Sequence, residues 1–175
     1  MLADTHVHYA DATFDLLDRG GTLYHPNHLV LADRARGGML EDIGYPLHEL
    51  WQDGFALMVR NVTSEFLKPV FAGSKLAILS EVALDSARSL TVSQRFVFQC
   101  ELPKTDLHGK FIDGARVEPG ADICRFSTKL VCVNMREVRV DALPERLVEP
   151  FRRSVNTQVR RASDGYRAML AGAPS

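Results

Sequence analysis

The sequence contains no apolar run long enough to cross a membrane. A transmembrane helix needs about 20 consecutive apolar residues, and charged or polar residues interrupt every apolar stretch of this chain well before that length. The first residues, Met1 to His8, lack the basic region and long apolar run of a secretory signal peptide. The sequence therefore predicts no membrane span and a cytoplasmic location.

Cysteine and candidate metal ligands are also scarce. The cysteines are Cys100, Cys124 and Cys132, an odd number without CxxC spacing, which argues against a disulfide framework and against a zinc site. We interpret them as small buried hydrophobic residues. His6 and His8 lie two residues apart without a further ligand cluster, so we interpret them as solvated strand histidines and predict no metal site.

Neither sign of charge is in excess. The 175 residues include 21 lysines and arginines against 22 acidic residues, so no strong basic field indicates a nucleic acid or an anionic membrane as a partner. The chain has no internal repeat and no low-complexity tract. Its length predicts one domain with a proper hydrophobic core.

The segment from Asp18 to His28 has the most distinctive pattern. Asp18 precedes the pair Gly20-Gly21, which permits a tight turn, and Tyr24-His25 precede Pro26, which is favoured in the first turn of a helix. A carboxylate therefore lies close to a helix N-terminus, where free N–H groups donate outward. Asp18 could attack a thioester carbonyl or deprotonate water while N–H groups near Tyr24-His25 stabilise the oxyanion. An ordinary Asp-Gly-Gly turn is the alternative.

A helix is predicted directly after this segment, over residues 26–43. His28, Ala32, Ala35 and Met39 form one stripe at helical spacing, and the small alanines allow close packing on a sheet. Gly37-Gly38 interrupts good helix formers, so we expect the helix to bend or fray there.

The remaining chain favours β-structure. Five segments have the apolar content or alternation of strands: residues 3–14, 55–67, 75–84, 90–100 and 124–132. Residues 101–122 are rich in proline, glycine and charge, and are predicted to be a long hairpin connection, mobile or folded as a small flap. Trp51 is expected to anchor the core. The predicted class is α+β, one long helix wrapped by an antiparallel sheet of about five strands.

The domain is predicted to comprise residues 1–143, with residues 144–175 as a C-terminal helical extension of it. Within the extension, Phe151 to Leu170 mix arginines with a short apolar stripe. That composition favours an ordinary packing helix over a membrane-surface helix.

One string also resembles a family signature. It reads Asp18-x-Gly20-Gly21-x-Leu23-Tyr24-His25-x-x-His28, followed by Asp33-Arg34-Ala35-Arg36. It is similar to the signature of the hotdog-fold acyl-CoA thioesterases, the 4-hydroxybenzoyl-CoA thioesterase and YbgC-like group. Less specific strand matches extend the resemblance over most of residues 5–150. The resemblance implies the hotdog fold and hydrolysis of an acyl-CoA to a free acid and CoA-SH.

The resemblance also implies roles for residues. Asp18 matches the catalytic carboxylate, acting as nucleophile or as base towards water, and Tyr24 and His25 match the helix start, where a backbone N–H polarises the thioester. No cofactor or metal is implied, since the CoA thioester is the substrate. A homodimer or homotetramer with the active site at the subunit interface is expected. Thr22 stands where the family usually has an apolar Val or Ile, and His28 where tyrosine is frequent, which leaves the acyl group open.

The CoA phosphates require cations near the site. Arg88, in the turn before the fourth strand, stands near a position where some relatives hold such a residue, and Arg60 and Lys68 are weaker candidates. A solvated turn arginine is the alternative for Arg88. The alternatives for function are hydrolysis of an acyl-carrier-protein thioester and a non-catalytic module that binds acyl thioesters.

Overall fold

One long helix packs against a curled antiparallel sheet. The structure, a computed structural model, describes residues 5–99, 102–105, 111–117 and 120–152. The main sheet contains β1 (His6–Asp11), β2 (Phe55–Phe66), β3 (Lys75–Ser86), β4 (Ser89–Phe98), β7 (Asp122–Asn134) and β8 (Arg139–Val140), while β5 (Leu102–Thr105) and β6 (Phe111–Val117) form a separate pair. The helices are α1 (His25–Asp42), α2 (Leu47–Gln52) and α3, residues 145–152.

The strand order of the main sheet is β1-β3-β4-β7-β2, and the short β8 pairs with β7. Each neighbouring pair is antiparallel. The predicted α+β architecture, one long helix wrapped by about five antiparallel strands, is therefore confirmed. β2 lies at an edge of the sheet, and from Met58 onwards its side chains are exposed.

Helix α1 buries the predicted stripe of His28, Ala32, Ala35 and Met39. The alanines are fully buried, as expected for small side chains that bring a helix close to a sheet. The expected fraying at Gly37-Gly38 is wrong, because α1 continues through both glycines to Asp42.

Four polar side chains divide the core into two apolar clusters. Gln94 of β4 is 2% exposed; its amide donates to the Ala32 carbonyl at 2.9 Å and the Ser80 hydroxyl at 3.1 Å, and its oxygen accepts from Arg36 Nη1 at 3.0 Å. Arg36 also approaches the buried Thr128 hydroxyl at 3.5 Å. We call Arg36, Ser80, Gln94 and Thr128 the polar layer. Within its own helix or strand, each of these four residues lies between residues of one apolar cluster and residues of the other.

The interpretation of His6 and His8 as solvated strand histidines is wrong. Both face α1, and His6 Nδ1 lies 2.8 Å from the Asp42 carboxylate. A Cβ atom at Gly38 would lie 3.4 Å from His8 Nδ1 and 3.7 Å from His6 Nε2. Both imidazoles therefore lie next to Gly38, where an added Cβ would just meet them.

Trp51 is not a core anchor, since it is 61% exposed. In the short helix α2 the neighbouring Leu50 is buried instead and packs with Tyr45 in the core. A single aromatic residue in so short a helix gave no periodicity from which to judge its direction.

The remaining expectations concern the cysteines, the hairpin connection and the C-terminal helix. Cys124 and Cys132 are buried free thiols, as predicted, while Cys100 lies outside the described residues. Antiparallel pairing of β5 with β6 agrees with the folded flap rather than an unstructured connection. Leu147 and Val148 of α3 pack into the core, whereas the rest of the predicted C-terminal helix, from residue 153, lies outside the described residues.

Candidate active site

Asp18 lies at the start of a tight hairpin turn that leads into α1. The flanking residues Leu17 and Leu23 form an antiparallel bridge, and the Asp18 N–H donates to the Thr22 carbonyl at 2.8 Å. The Leu23 N–H donates to the Val70 carbonyl at 2.7 Å, which fixes the hairpin to the segment after β2. The carboxylate is thus carried by a hydrogen-bonded turn.

The two glycines of the turn are required for different reasons. A Cβ at Gly20 would lie 3.1 Å from Asp18 Oδ1, closer than ordinary contacts allow, whereas Gly21 has a φ of 79°, which L side chains rarely adopt. Because Gly20 has no side chain, its N–H approaches Asp18 Oδ1 to 2.8 Å. The pair is needed to fold the backbone around the carboxylate.

The turn stabilises the ionised form of Asp18. Its Oδ1 accepts from the Gly20 N–H and from the Thr22 N–H at 3.2 Å, and its Oδ2 accepts from the Thr22 hydroxyl at 3.2 Å. The backbone N–H of Thr22 is the largest influence that lowers the pKa of Asp18, and the nearby His25 ring contributes further. The group is therefore a carboxylate at neutral pH, close to the first residue of α1.

The start of α1 leaves one backbone donor available. The Tyr24 N–H donates to the Leu16 carbonyl at 3.0 Å and the Asn27 N–H to the Tyr24 carbonyl at 2.8 Å, while Pro26 has no N–H. Of the first-turn donors, this leaves the His25 N–H without an acceptor among the described residues. The Tyr24 N–H, one of the two predicted oxyanion donors, is already used within the fold.

The site is open in the single chain. Asp18, Tyr24 and His25 are exposed, with Tyr24 44% exposed. A concavity of about 860 Å³ lies elsewhere, on the sheet face that carries Val7 and Arg95. A smaller cleft of about 400 Å³ between β1 and α1 reaches Leu16, two residues before Asp18.

His28 lies about one helical turn after His25 in α1. It is buried, its ring meets Phe66 edge-to-face at 5.1 Å, and its Nδ1 is 3.4 Å from the Tyr24 carbonyl. Burial lowers the pKa of His28, so the imidazole is neutral at neutral pH. An aromatic contact is thereby retained at a position where the resemblance led us to expect tyrosine.

The three candidate CoA cations are spread over the molecule. Lys68 lies two residues before Val70, which holds the Asp18 hairpin, whereas Arg60 is exposed in the middle of edge strand β2. Arg88 occupies the turn between β3 and β4, at the far end of β3 from this hairpin. β3 has 12 residues, and at about 3.3 Å each its extended length is roughly 40 Å, so Arg88 lies well away from the site.

Sequence reasoning missed the role of Thr22. It was noted only as a departure from an apolar residue, yet both its N–H and its hydroxyl bind the Asp18 carboxylate. A hydroxyl residue four positions after an aspartate across a glycine pair was the available indication, because Asp and Thr side chains commonly bond within such turns.

Comparison with known proteins decides the family. Residues 12–151 match the family described as the thioesterase-like superfamily. The chain belongs to this superfamily. The acyl-CoA thioester hydrolase YbgC of Escherichia coli O6:H1 is 26% identical over 146 residues, which are 83% of this chain and 91% of that protein. The predicted family of thioester hydrolases is confirmed.

Solved structures share the fold. Slr0204 of Synechocystis, a 1,4-dihydroxy-2-naphthoyl-CoA thioesterase, aligns with a TM-score of 0.69 at 18% identity, covering 84% of this chain and 95% of that one. SAV2348 of Staphylococcus aureus, solved in complex with CoA, aligns with a TM-score of 0.65 at 13% identity, covering 90% and 85%. The predicted hotdog fold is confirmed.

Two further properties concern the described part of this thioesterase-superfamily chain. None of its helices there is long and apolar enough to span a membrane. Over the same residues, no three histidine, cysteine, aspartate or glutamate side chains are grouped so that they could hold a metal ion.

Proposed function

We propose that the protein hydrolyses acyl-CoA thioesters, with Asp18 as the reacting carboxylate and the His25 N–H as the donor to the thioester oxygen. The observation that carries this proposal is the ionised Asp18 close to a helix start whose His25 N–H has no acceptor among the described residues. The helix dipole adds about half a positive charge at that N–H, which favours a developing oxyanion. E. coli YbgC, an acyl-CoA thioester hydrolase by name, supports the substrate class.

Two chemical routes fit this arrangement. As a base, Asp18 removes a proton from water, the water oxygen attacks the thioester carbon, the C–S bond breaks, and the thiolate recovers the proton as CoA-SH. As a nucleophile, Asp18 attacks the thioester carbon, and the C–S bond breaks to leave a mixed anhydride and the CoA thiolate. Water then hydrolyses the anhydride to the free acid and an ionised Asp18, and the proton released in this step balances the proton that the thiolate takes up to become CoA-SH. In both routes the Tyr24 and His25 side chains stand close enough to the helix start to position substrate or water.

A homodimer that closes the open site is part of the proposal. Edge strand β2 presents the exposed apolar side chains of Met58, Val59, Val62 and Phe66. An edge with unpaired backbone groups and apolar side chains is a surface on which a second strand can add. In such an assembly Lys68 would serve the CoA of its own chain's site, while Arg88 would act on a site formed with a partner. A homotetramer would pair two such dimers.

The test is thiol release from short, medium, long and aromatic acyl-CoAs by the wild type and the Asp18→Asn variant. Asparagine keeps an oxygen for the Gly20 and Thr22 N–H groups, so the turn is retained while the charge is lost. We expect hydrolysis of at least one substrate and a fall of at least ~100-fold in kcat for the variant. Asp15→Asn, an exposed aspartate three residues earlier, is the matched control and should retain activity.

The alternatives give different results. An enzyme that acts on acyl carrier protein should hydrolyse acyl-phosphopantetheine on the carrier and be indifferent to the 3′-phosphate of CoA, which dephospho-CoA substrates test. A binding module should bind acyl-CoA without turnover. Equal activity of the wild type and Asp18→Asn would refute the role of Asp18.

A further inference from the structure

Asn27 connects the start of α1 to the segment that carries Asp18. It is the third residue of the helix, after His25 and Pro26, and its side-chain Nδ2 donates to the Leu16 carbonyl at 2.8 Å. The same carbonyl accepts the Tyr24 N–H at 3.0 Å. Leu16 is buried, so its carbonyl has little access to water and depends on these two donors.

We infer that Asn27 is a positioning residue, which holds the Asp18 carboxylate at a fixed distance from the His25 N–H. This inference rests on the proposed function. Its basis is that the carbonyl of Leu16 lies two residues before Asp18, whereas its two donors lie on either side of His25 along the chain. The bond therefore joins the backbone that carries the carboxylate to the backbone that carries the free donor.

The link from Asn27 is distinct from the other bonds of the site. The Thr22 and Gly20 donors orient the carboxylate within its own turn, and the Val70 carbonyl holds the turn to the sheet. Only the two bonds to Leu16, among those described, connect the residues before Asp18 to the first turn of α1. Without the side-chain bond, this connection depends on the Tyr24 N–H alone.

The expected consequence is on the chemical step rather than on binding. A displacement of about 1 Å between reacting groups can cost 10²-fold in rate, whereas a CoA nucleotide bound at a distance is insensitive to it. Loss of the Asn27 donor should therefore lower kcat by about 10- to 100-fold and leave KM within about threefold.

The test compares Asn27→Ala and Asn27→Asp with the wild-type chain. Alanine removes the donor without adding charge, and aspartate keeps the shape but cannot donate to a carbonyl; both are acceptable in the first turns of a helix. Agreement between the two variants attributes the effect to the lost donor. Asn134→Ala is the matched control, because Asn134 caps the turn of Arg136 and Glu137 away from Asp18 and should leave kcat unchanged.

A second measurement is independent of turnover. Amide hydrogen exchange should show the Tyr24 N–H losing protection by about tenfold or more in both Asn27 variants, while amides of β4 stay as in the wild type. If both variants keep the wild-type kcat, the inference is overturned, whether or not the Tyr24 N–H loses protection. If the wild type hydrolyses no acyl-CoA, the proposed function fails. In that case, unchanged protection of the Tyr24 N–H in the variants would show that the hydrogen bond from Asn27 to Leu16 does not hold the helix start.

Discussion

Replacing Gly37 by alanine should stabilise the protein by about 1 kcal/mol. Gly37 lies inside the 18-residue helix α1, and an added Cβ would meet Leu47 Cδ1 at 3.8 Å, an ordinary van der Waals contact. Glycine in a helix interior costs 0.8–1.0 kcal/mol relative to alanine, mostly because its unfolded backbone has more freedom to lose. Nothing in the described surroundings opposes that gain.

The assay is unfolding by heat and by urea. For a chain of this size, 1 kcal/mol corresponds to a rise in Tm of about 2–4 °C, and the urea m-value should not change. Gly37 is twelve residues from His25, which at about 1.5 Å per residue places it about 18 Å along the helix. Activity of the Gly37→Ala variant should therefore equal that of the wild type.

Gly38→Ala is the comparison. Its Cβ would lie 3.4 Å from His8 Nδ1, at the short limit of ordinary van der Waals contact, and 3.7 Å from His6 Nε2, so the closer contact with His8 removes part of the same gain in helix propensity. We expect a smaller gain than for Gly37→Ala. A lower Tm for Gly37→Ala, or a larger gain at residue 38, would show that the packing around α1 is not as described.

Other predictions concern stability, thiols and pH. Gln94→Leu should cost about 2–4 kcal/mol in urea unfolding, because Arg36 loses a buried acceptor; a cost below 1 kcal/mol would contradict this. Burial raises the pKa of Cys124 to about 12 and of Cys132 to about 11, so in a Cys100→Ser variant neither thiol should be alkylated at about pH 8 until the protein is denatured. Burial lowers the pKa of His28 below its usual 6.5, so at acidic pH the unfolded chain binds more protons than the folded one. The free energy of unfolding should therefore fall as the pH drops through and below 6.5. His28→Phe should reduce this dependence on pH, and an unchanged dependence would exclude His28 as its source.

Periodicity predicted the architecture because burial on this fold is one-sided. The stripe from His28 to Met39 and the alternation along β4 and β7 each identify the face that packs inward. Trp51 and His6 were wrongly placed because their directions depend on which element packs against each: Leu50 and not Trp51 faces the core from α2, and His6 packs against α1 at Gly38. Sequence alone does not show which element lies opposite.

The candidate site was predictable in its residue types and not in its hydrogen bonds. Asp18, the glycine pair and Pro26 already indicate a carboxylate turned towards a helix start. That the Tyr24 N–H is used by Leu16, and that Asn27 reaches the same carbonyl, depends on how residues 14–16 turn back towards α1. The roles of Asp18, Tyr24, His25, Arg60, Lys68 and Arg88 stay predictions until the variants are measured.

The polar layer has a consequence for how the strands find their partners. Alternation of buried and exposed side chains opposes a slip of one residue between β3 and β4, but a slip of two residues restores it. Ser80 lies opposite Gln94 in the observed pairing, and a two-residue slip would place Gln94 opposite Ile78 or Val82 instead. The Gln94 amide would then keep only the Ala32 carbonyl as an acceptor, and the buried Ser80 hydroxyl would lose its Gln94 donor, at a cost of about 1–3 kcal/mol. The polar layer therefore favours the observed register of β3 and β4 over registers shifted by two residues.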